Sequence, residues 1–301
     1  MSTKTELEQI RDERAMEVYK RNDSIQKAKF TLTPTEMKVV LYAASKIKPG
    51  DRQFTEYEFD IKKFYQVCGI EKDTYHTLKK NMQKLADKSW FYRQETGEDV
   101  LIRWFDDIVL NKGSGKVKIV FHRRMMPFLL QLAEGGEFYT SYRLQYVLPM
   151  KSQYSPRLYE VLKSYENNHQ WFFEIDTLKQ LLDCENYKNF NDFKKRALDP
   201  AVEEINQYTD LCIFYTTEKV GRKVVKIHFF LDEKNPDELY ETQRSIDEEL
   251  DQIYIDDIIA EVETSPEQKF WEERRAARKA YEKKEAERKK KFGIKDENDD
   301  F

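Results

Sequence analysis

The chain has 301 residues, 40% of them hydrophobic and 14% aromatic, and its 52 Lys and Arg against 56 Asp and Glu give a formal net charge of −4. This aromatic content excludes a wholly disordered chain, and the length favours about two domains. Three cysteines without regular spacing exclude a disulfide framework and indicate a cytoplasmic protein, and no stretch of about 18 apolar residues is available to span a membrane.

Charge is distributed unevenly along the chain. Residues 232–263 hold 13 acidic and 2 basic side chains, whereas residues 264–295 hold 12 basic and 6 acidic ones and residues 296–301 add four acids. Residues 1–231 are therefore mildly basic, with 38 basic and 33 acidic side chains. This asymmetry is typical of a nucleic-acid-binding body with solvating tails, although an ordinary globular surface is equally compatible with such a small excess.

The first half of the chain shows a recognisable order of predicted elements. A charged helix over 5–20 precedes a helix over 33–47, in which Thr33, Pro34 and Glu36 form a good N-terminal capping sequence. The elements predicted next are a strand over 53–59, helices over 60–68 and 73–88, strands over 90–94, 100–110 and 116–121, and a helix over about 124–134. This is the order of a winged helix, whose third helix enters the major groove beside a β-hairpin wing.

The second half repeats this plan. Phe59-Asp60-Ile61 matches Phe173-Glu174-Ile175 at an offset of 114, and Pro34 matches Pro156 at an offset of 122. After a basic helical segment, strands are predicted over 211–217 and 224–231, with a turn near 219–223. A chance match of short apolar patterns is the alternative, but the ordered recurrence of several elements favours a duplication.

The predicted fold class is therefore α+β, with two tandem winged-helix domains followed by a charged C-terminal tail that is largely helical or disordered. The predicted boundaries are an N-terminal helical arm over 1–22, a first winged-helix domain over 23–136, a second over 137–235 and the tail over 236–301. Within the tail, an amphipathic helix is predicted around 244–262 and a long charged helix over 266–292.

The second copy carries the stronger candidate DNA-binding surface. Apolar residues at helical spacing should be buried there: Phe190, Phe193, Ala197, Val202 and Ile205. The polar residues between them should project outward: Lys188, Asn189, Asn191, Lys194 and Lys195. Asn can bond adenine edges, and Lys suits phosphates or guanine.

Cations at the predicted wing tip support this interpretation over a merely solvated helix face. Lys219, Arg222 and Lys223 fall where DNA phosphates would lie in a winged-helix complex. Pro200, within the helical pattern, predicts a kink or a new helical turn.

The first copy offers a weaker counterpart. Its candidate DNA contacts are Lys72, His76, Lys79 and Lys80, with Lys112, Lys116 and Lys118 in the wing region. Glu71 and Asp73 dilute the positive charge of this set, and His76 is equally well explained as a simple surface histidine.

No catalytic, metal or cofactor motif is apparent. The four histidines are far apart, so no HEXXH or His-x-His pair exists, and a phosphate-binding GXXXXGK[ST] loop is missing. Cys68, Cys184 and Cys212 form no CXXC motif and are best explained as small buried residues. The sequence therefore predicts a protein that is not an enzyme and needs no cofactor.

Residues about 18–232 resemble the theta-type plasmid replication initiators, a family of iteron-binding proteins with two winged-helix domains. The stretches that carry the resemblance are Val18-Tyr19-Lys20-Arg21-Asn22, Leu32-Thr33-Pro34-Thr35-Glu36, Tyr154-Ser155-Pro156-Arg157-Leu158-Tyr159-Glu160, Phe173-Glu174-Ile175, Phe193-Lys194-Lys195-Arg196-Ala197-Leu198-Asp199-Pro200-Ala201, Glu204-Ile205-Asn206 and Gly221-Arg222-Lys223-Val224. They are specific in combination, and the tail after about residue 235 matches no known pattern.

The resemblance implies a non-enzymatic initiator that binds repeated sites in double-stranded origin DNA. The second domain would read the major groove through Lys188–Lys195 and the wing at Lys219–Lys223, while the first adds backbone contacts and a dimer interface. Such a protein helps open the origin, recruits host helicase-loading or initiator proteins, exchanges between monomer and homodimer, and represses its own gene as a dimer.

Three other functions remain compatible with the sequence. A winged-helix transcriptional repressor would lack a role in replication. A DNA-nicking enzyme would need only one of the 18 tyrosines as nucleophile, although no His-x-His metal pair accompanies one. A protein-interaction scaffold would show no salt-sensitive DNA binding.

Overall fold

The computed structural model describes residues 5–48, 50–70, 75–93, 96–130, 132 and 139–263. The chain divides into two compact units, residues 1–250 and 251–301, and both winged-helix domains lie within the first. Within the described ranges, no helix is long and apolar enough to cross a membrane.

The first half of the described chain contains α1 (Glu6–Arg14), β1 (Glu17–Arg21), α2 (Asn22–Lys27), α3 (Pro34–Ala44), β2 (Tyr57–Asp60), α4 (Ile61–Cys68), α5 (Tyr75–Asp87), β3 (Ser89–Arg93), β4 (Asp99–Arg103), β5 (Phe105–Asn111), β6 (Lys116–Phe121) and α6 (Met126–Leu129). The second half contains β7 (Tyr139–Arg143), α7 (Ser155–Lys163), β8 (Gln170–Glu174), α8 (Ile175–Leu181), α9 (Phe190–Phe193), α10 (Asp199–Tyr208), β9 (Leu211–Val220), β10 (Lys223–Glu233) and α11 (Pro236–Glu263). A π-helical turn over Lys194–Leu198 joins α9 to α10.

The two halves form sheets of the same topology, which confirms the predicted tandem winged helices. The first sheet has the order β2-β6-β5 and the second β8-β10-β9, each antiparallel throughout. In the first, Phe59 lies opposite Val117. In the second, Phe173 lies opposite Ile227 in the same register. Three helical segments precede each wing hairpin: α3, α4 and α5 in the first half, and α7, α8 and α9–α10 in the second.

The predicted single helix over 5–20 is wrong. Thr5 and Glu8 cap α1 reciprocally, but the helix ends at Arg14. Val18 and Tyr19, which favour extended backbone, lie in β1, which pairs antiparallel with β7. Pairing with a distant strand thus overrides the charged, helix-favouring local sequence.

Three further predictions require correction. The single strand over 100–110 is two strands in different sheets, because Trp104 and Phe105 are both buried and break the alternation. The helix over 124–134 shortens to α6 after a 3₁₀ turn, since Leu130 is extended. The helix predicted around 244–262 begins earlier, at Pro236, and the predicted helix over 266–292 lies outside the described residues.

A buried ionic cluster joins β1 to α7, the first helix of the second half. The Glu160 carboxylate is fully buried and lies 2.5 Å from Lys20 Nζ, with Arg157 Nη1 3.7 Å away. The Tyr142 hydroxyl also donates a hydrogen bond to Glu160. Burial lowers the pKa of Lys20 despite the adjacent carboxylate. The pKa of Tyr142 rises well above its usual value, through burial first and then the neighbouring Glu160 charge.

Arg157 extends this cluster to the backbone on both sides. Its Nη2 donates to the carbonyl oxygens of Ile25 and Ala28 at 2.6 and 2.7 Å, and its Nε donates to Leu181 O at 3.3 Å. The guanidinium also lies 4.8 Å from the centre of the Phe30 ring. One side chain therefore links α2 to the end of α8.

The first part of α11 packs against the body through Thr242, Ile246 and Leu250, which are buried. Glu249 bonds Arg14 Nη1 at 2.9 Å, and Arg14 Nε donates to Val67 O at 2.7 Å. The C-terminal helix is therefore tied to α1 and α4 in the first half of the chain.

We predict that Glu160→Ala destabilises the protein by about 3–5 kcal/mol, because it leaves Lys20 and Arg157 buried without their carboxylate. Urea unfolding followed by circular dichroism measures the loss. The control is Glu248→Ala, which removes an ion pair to Arg244 whose Glu248 side chain is 69% exposed and should cost no more than about 0.5 kcal/mol. An equally small loss in both variants would contradict the assigned role of the cluster.

Candidate nucleic-acid interface

An open groove of about 910 Å³ lies between the start of α9 and the β9–β10 hairpin. Seven of the residues predicted to bind DNA line it: Lys188, Asn189, Asn191, Lys194, Lys219, Arg222 and Lys223. Lys195 is exposed on the same helix but does not line the groove. The tertiary structure thus brings together the helix and wing residues that the sequence suggested separately.

Asn189 caps the helix that forms one wall. Its Oδ1 accepts a hydrogen bond from the Asp192 backbone at 2.8 Å, and its Nδ2 donates to Asp192 Oδ2 at 2.5 Å. Asn191 is exposed and makes no side-chain hydrogen bond to any described residue. The cap therefore fixes the helix start that presents the free amide of Asn191.

The helix core follows the predicted pattern in part. Phe193, Ala197 and Ile205 are fully buried, whereas Phe190 and Val202 are only half-buried. Phe190 contributes to the groove lining, so one of its faces stays open. A new helical segment, α10, begins at Asp199, directly before Pro200 and after the π-helical turn, which is one of the two outcomes that the proline predicted.

Asp199 bonds residues on both walls of the groove. Its Oδ2 lies 2.5 Å from Lys194 Nζ, and its Oδ1 accepts a hydrogen bond from the Tyr215 hydroxyl at 2.6 Å. Burial opposes ionisation of Asp199, but the bonds from Lys194 and Tyr215 outweigh it and lower its pKa. Burial, followed by the bond to Asp199, raises the pKa of Tyr215 to about 12. At neutral pH the carboxylate is therefore ionised and both partners are protonated.

The wing tip presents three cations. Val220 lies opposite Lys223, so Gly221 and Arg222 form a two-residue turn. Gly221 has φ +62°, a conformation that glycine adopts without strain at the first position of such hairpin turns. Lys219, Arg222 and Lys223 are exposed, and no described residue forms an ion pair with them.

The hairpin of the second half is also the longer of the two. In the first sheet, Asn111 and Lys116 form the last pair of residues before the hairpin turn. The equivalent pair in the second sheet is Glu218 and Lys226. Beyond this point β9 and β10 continue to their own turn at Gly221. The extension carries all three wing cations.

Sequence reasoning missed the groove residues Asp176, Lys179, Tyr215, Thr216 and Thr217. Lys179 is only 7% exposed, and its Nζ donates to Tyr187 O at 2.5 Å, which anchors the loop that leads to the helix. No local pattern separates this lysine from a solvated one. Thr216 and Thr217 could have been found, because they precede the predicted wing turn on the same strand.

The first half presents less free positive charge. His76, Lys79 and Lys80 are exposed on α5 without a partner among the described side chains, and Lys72 lies outside the described residues. On its hairpin, Lys116 bonds Glu58, and Lys118 lies 2.6 Å from Glu56. Carboxylates thus neutralise strand cations in the first sheet.

No metal-binding group of three or more His, Cys, Asp and Glu occurs in the part of the chain that the structure describes. Cys68 and Cys184 are buried as predicted, and Cys212 is only half-buried. Burial raises the pKa of the Cys68 thiol to about 12, so this thiol is not activated.

Tandem winged helices with a cationic helix-and-wing groove define a DNA-binding protein. A family model described as "Initiator Replication protein, WH1" matches residues 17–163, and one described as "Initiator Rep protein, WH2" matches residues 174–231. The chain therefore belongs to this family of replication initiators with two winged-helix domains. Its members are DNA-binding proteins rather than enzymes, as the sequence predicted.

Individual relatives are similar at lower identity. The PI protein of Escherichia coli is 25% identical over 155 residues, which cover 46% of this chain and 51% of that protein, so the match spans about half of its length. An uncharacterised 27.6 kDa protein of Escherichia coli is 25% identical over 191 residues, 62% of this chain and 77% of that protein.

A solved structure shares the fold. It is the crystal structure of Pi initiator protein in complex with iteron DNA, with a TM-score of 0.62 and 20% identity, and the match covers 74% of this chain and 99% of that one.

We predict that Asn189→Ala destabilises the protein by about 1 kcal/mol through loss of the helix cap. Asn191→Ala, two residues away on the exposed surface, should change stability by less than about 0.5 kcal/mol. Urea unfolding of both variants without DNA makes the comparison. Equal losses would show that Asn189 has no special capping role.

Proposed function

We propose that this chain is a plasmid replication initiator that recognises direct repeats, or iterons, at an origin through the groove of its second winged helix. The observation that carries the proposal is the convergence of Lys188, Asn191 and the three wing cations on one open groove. A helix with a free amide beside a cationic hairpin combines a group that can read base edges with groups that bind phosphates.

The parts of the chain are proposed to divide this work. Residues 137–235 form the main sequence reader, while residues 23–136 add backbone contacts through His76, Lys79 and Lys80 and provide a homodimer interface. Residues 1–22 are an N-terminal arm, and residues 236–301 are a charged tail. The matches of two winged-helix family models and the iteron complex of the Pi protein support two DNA-binding domains. The first match covers residues 17–163 and so extends past the proposed boundary at residue 136.

The finer steps of initiation are also proposed for this chain. Bound monomers help to open the origin and recruit host helicase-loading or initiator proteins, and dimers repress the chain's own gene. An origin plasmid that lacks the gene, with the protein supplied from a second plasmid, tests the replication role. A repressor without that role would bind the DNA but fail to maintain the plasmid.

The DNA-binding test compares duplexes that carry the direct repeats beside the gene with scrambled duplexes of the same composition. Fluorescence anisotropy over a series of salt concentrations gives both affinity and its salt dependence. We expect preference for the repeats and a steep fall in affinity with salt, because phosphate contacts release counterions. Equal, salt-insensitive binding would overturn the proposal and favour a scaffold.

We predict that Asn191→Ala weakens binding to the repeats by about 1–3 kcal/mol and leaves binding to scrambled DNA unchanged. Lys195→Ala should weaken both by similar amounts, because a phosphate contact carries no sequence information. Measurement on both duplexes separates the two roles. An equal loss on both duplexes for Asn191→Ala would remove it as a base-reading residue.

We predict that the double variant Arg222→Ala/Lys223→Ala reduces the slope of log affinity against log salt by about 1.8, since each phosphate contact contributes about 0.9. The control is Arg244→Ala, which removes a cation that α11 carries outside the groove and should leave the slope unchanged. An unaltered slope in the wing variant would place the DNA elsewhere.

A further inference from the structure

The Asp199 side chain connects the two walls of the groove. Lys194, which it bonds at 2.5 Å, lies on the helix wall, and Tyr215, which it bonds at 2.6 Å, lies on β9 of the wing. Both partners line the groove. No other carboxylate among the described residues accepts hydrogen bonds from both the helix segment 190–208 and the wing strand.

The π-helical turn makes this connection possible. Lys194 and Asp199 are five residues apart, and the turn between them spans Lys194–Leu198. In a regular α-helix, residues five apart point roughly 140° away from each other. The i to i+5 geometry of the π turn brings them to the same side, so the widened turn allows the ion pair to form.

The charge of Asp199 works against general DNA affinity. It neutralises Lys194, one of the cations of the groove, and adds a negative charge close to the path of a phosphate backbone. A residue that served only to attract DNA would carry a positive charge. Its contribution must therefore lie in the position of its two partners.

We propose that Asp199 is a positioning residue that determines sequence specificity. It holds the helix that presents Asn191 at a fixed distance from the wing. The inference rests on the proposed recognition of repeats by this groove, and it concerns specificity rather than affinity alone.

Asp199→Asn and Tyr215→Phe test the inference, with the full chain and the same two duplexes. For Asp199→Asn we expect about tenfold weaker binding to the repeats, from loss of a charged hydrogen bond that positions the helix. Binding to scrambled DNA should stay equal or strengthen severalfold, because a negative charge is gone. Tyr215→Phe keeps the charge and should weaken repeat binding about threefold without changing scrambled binding.

The matched control is Glu203→Gln, which removes a negative charge from an exposed position of the same helix, α10. Its ratio of repeat to scrambled affinity should stay within about twofold of the unaltered chain. The inference is overturned if Asp199→Asn keeps that ratio, or if Glu203→Gln lowers it equally. Thermal unfolding checks that each variant folds. If Asp199→Asn does not fold, the ratio of repeat to scrambled affinity of Tyr215→Phe tests the inference instead.

The binding preference of the unaltered chain distinguishes failure of this inference from failure of the proposed function. If it shows no preference for the repeats, the proposed function fails and the inference fails with it. If it prefers the repeats and the folded Asp199→Asn variant keeps that preference, only the inference fails.

Discussion

The buried carboxylate of Glu160 is the interaction on which the arrangement of the two winged helices depends. Lys20 reaches it from β1 and Arg157 from within α7, and Arg157 in turn holds backbone carbonyls next to α2 and α8. Each charge is tolerated inside the protein only because the others are present. A buried polar cluster of this kind constrains the relative position of the elements that carry it, so it holds the halves of the chain in register.

Within the second winged helix, polar residues divide into those that build the groove and those that face its interior. Asn189, Lys179 and Asp199 direct their side chains to protein partners, and they set the start of the helix, the loop before it and the distance to the wing. Asn191 and the wing cations remain without partners among the described residues. The partnered residues hold the backbone of the groove in place, whereas the side chains of Asn191 and the wing cations stay exposed.

The two copies of the fold have diverged in how they place positive charge. In the first sheet, Lys116 and Lys118 pair with carboxylates of or next to β2. In the second, Lys226 also pairs with Glu174 at the position equivalent to Lys116, but the hairpin extends beyond this point, and no described residue forms an ion pair with the cations at its tip. Because a paired lysine releases few counterions on DNA binding, this difference agrees with a larger role for the second domain.

The sequence alone determined the repeat, most of the order of helices and strands and seven of the fifteen residues that line the groove, because helical and strand periodicities and capping residues such as Thr33 act over short distances. It could not show that residues 17–21 form a strand, that the chain changes sheets at Trp104, or that Lys179 is buried. The strand over 17–21 depends on pairing with residues 139–143, more than 100 residues away. The change of sheet at Trp104 depends on how two separate sheets meet. The burial of Lys179 depends on the loop that contains Tyr187, which folds back over α8. The structure also decided that the helix begins at Phe190, which makes Asn189 its cap and leaves Asn191 exposed, because asparagine is favoured at the cap position and the sequence offers two asparagines there.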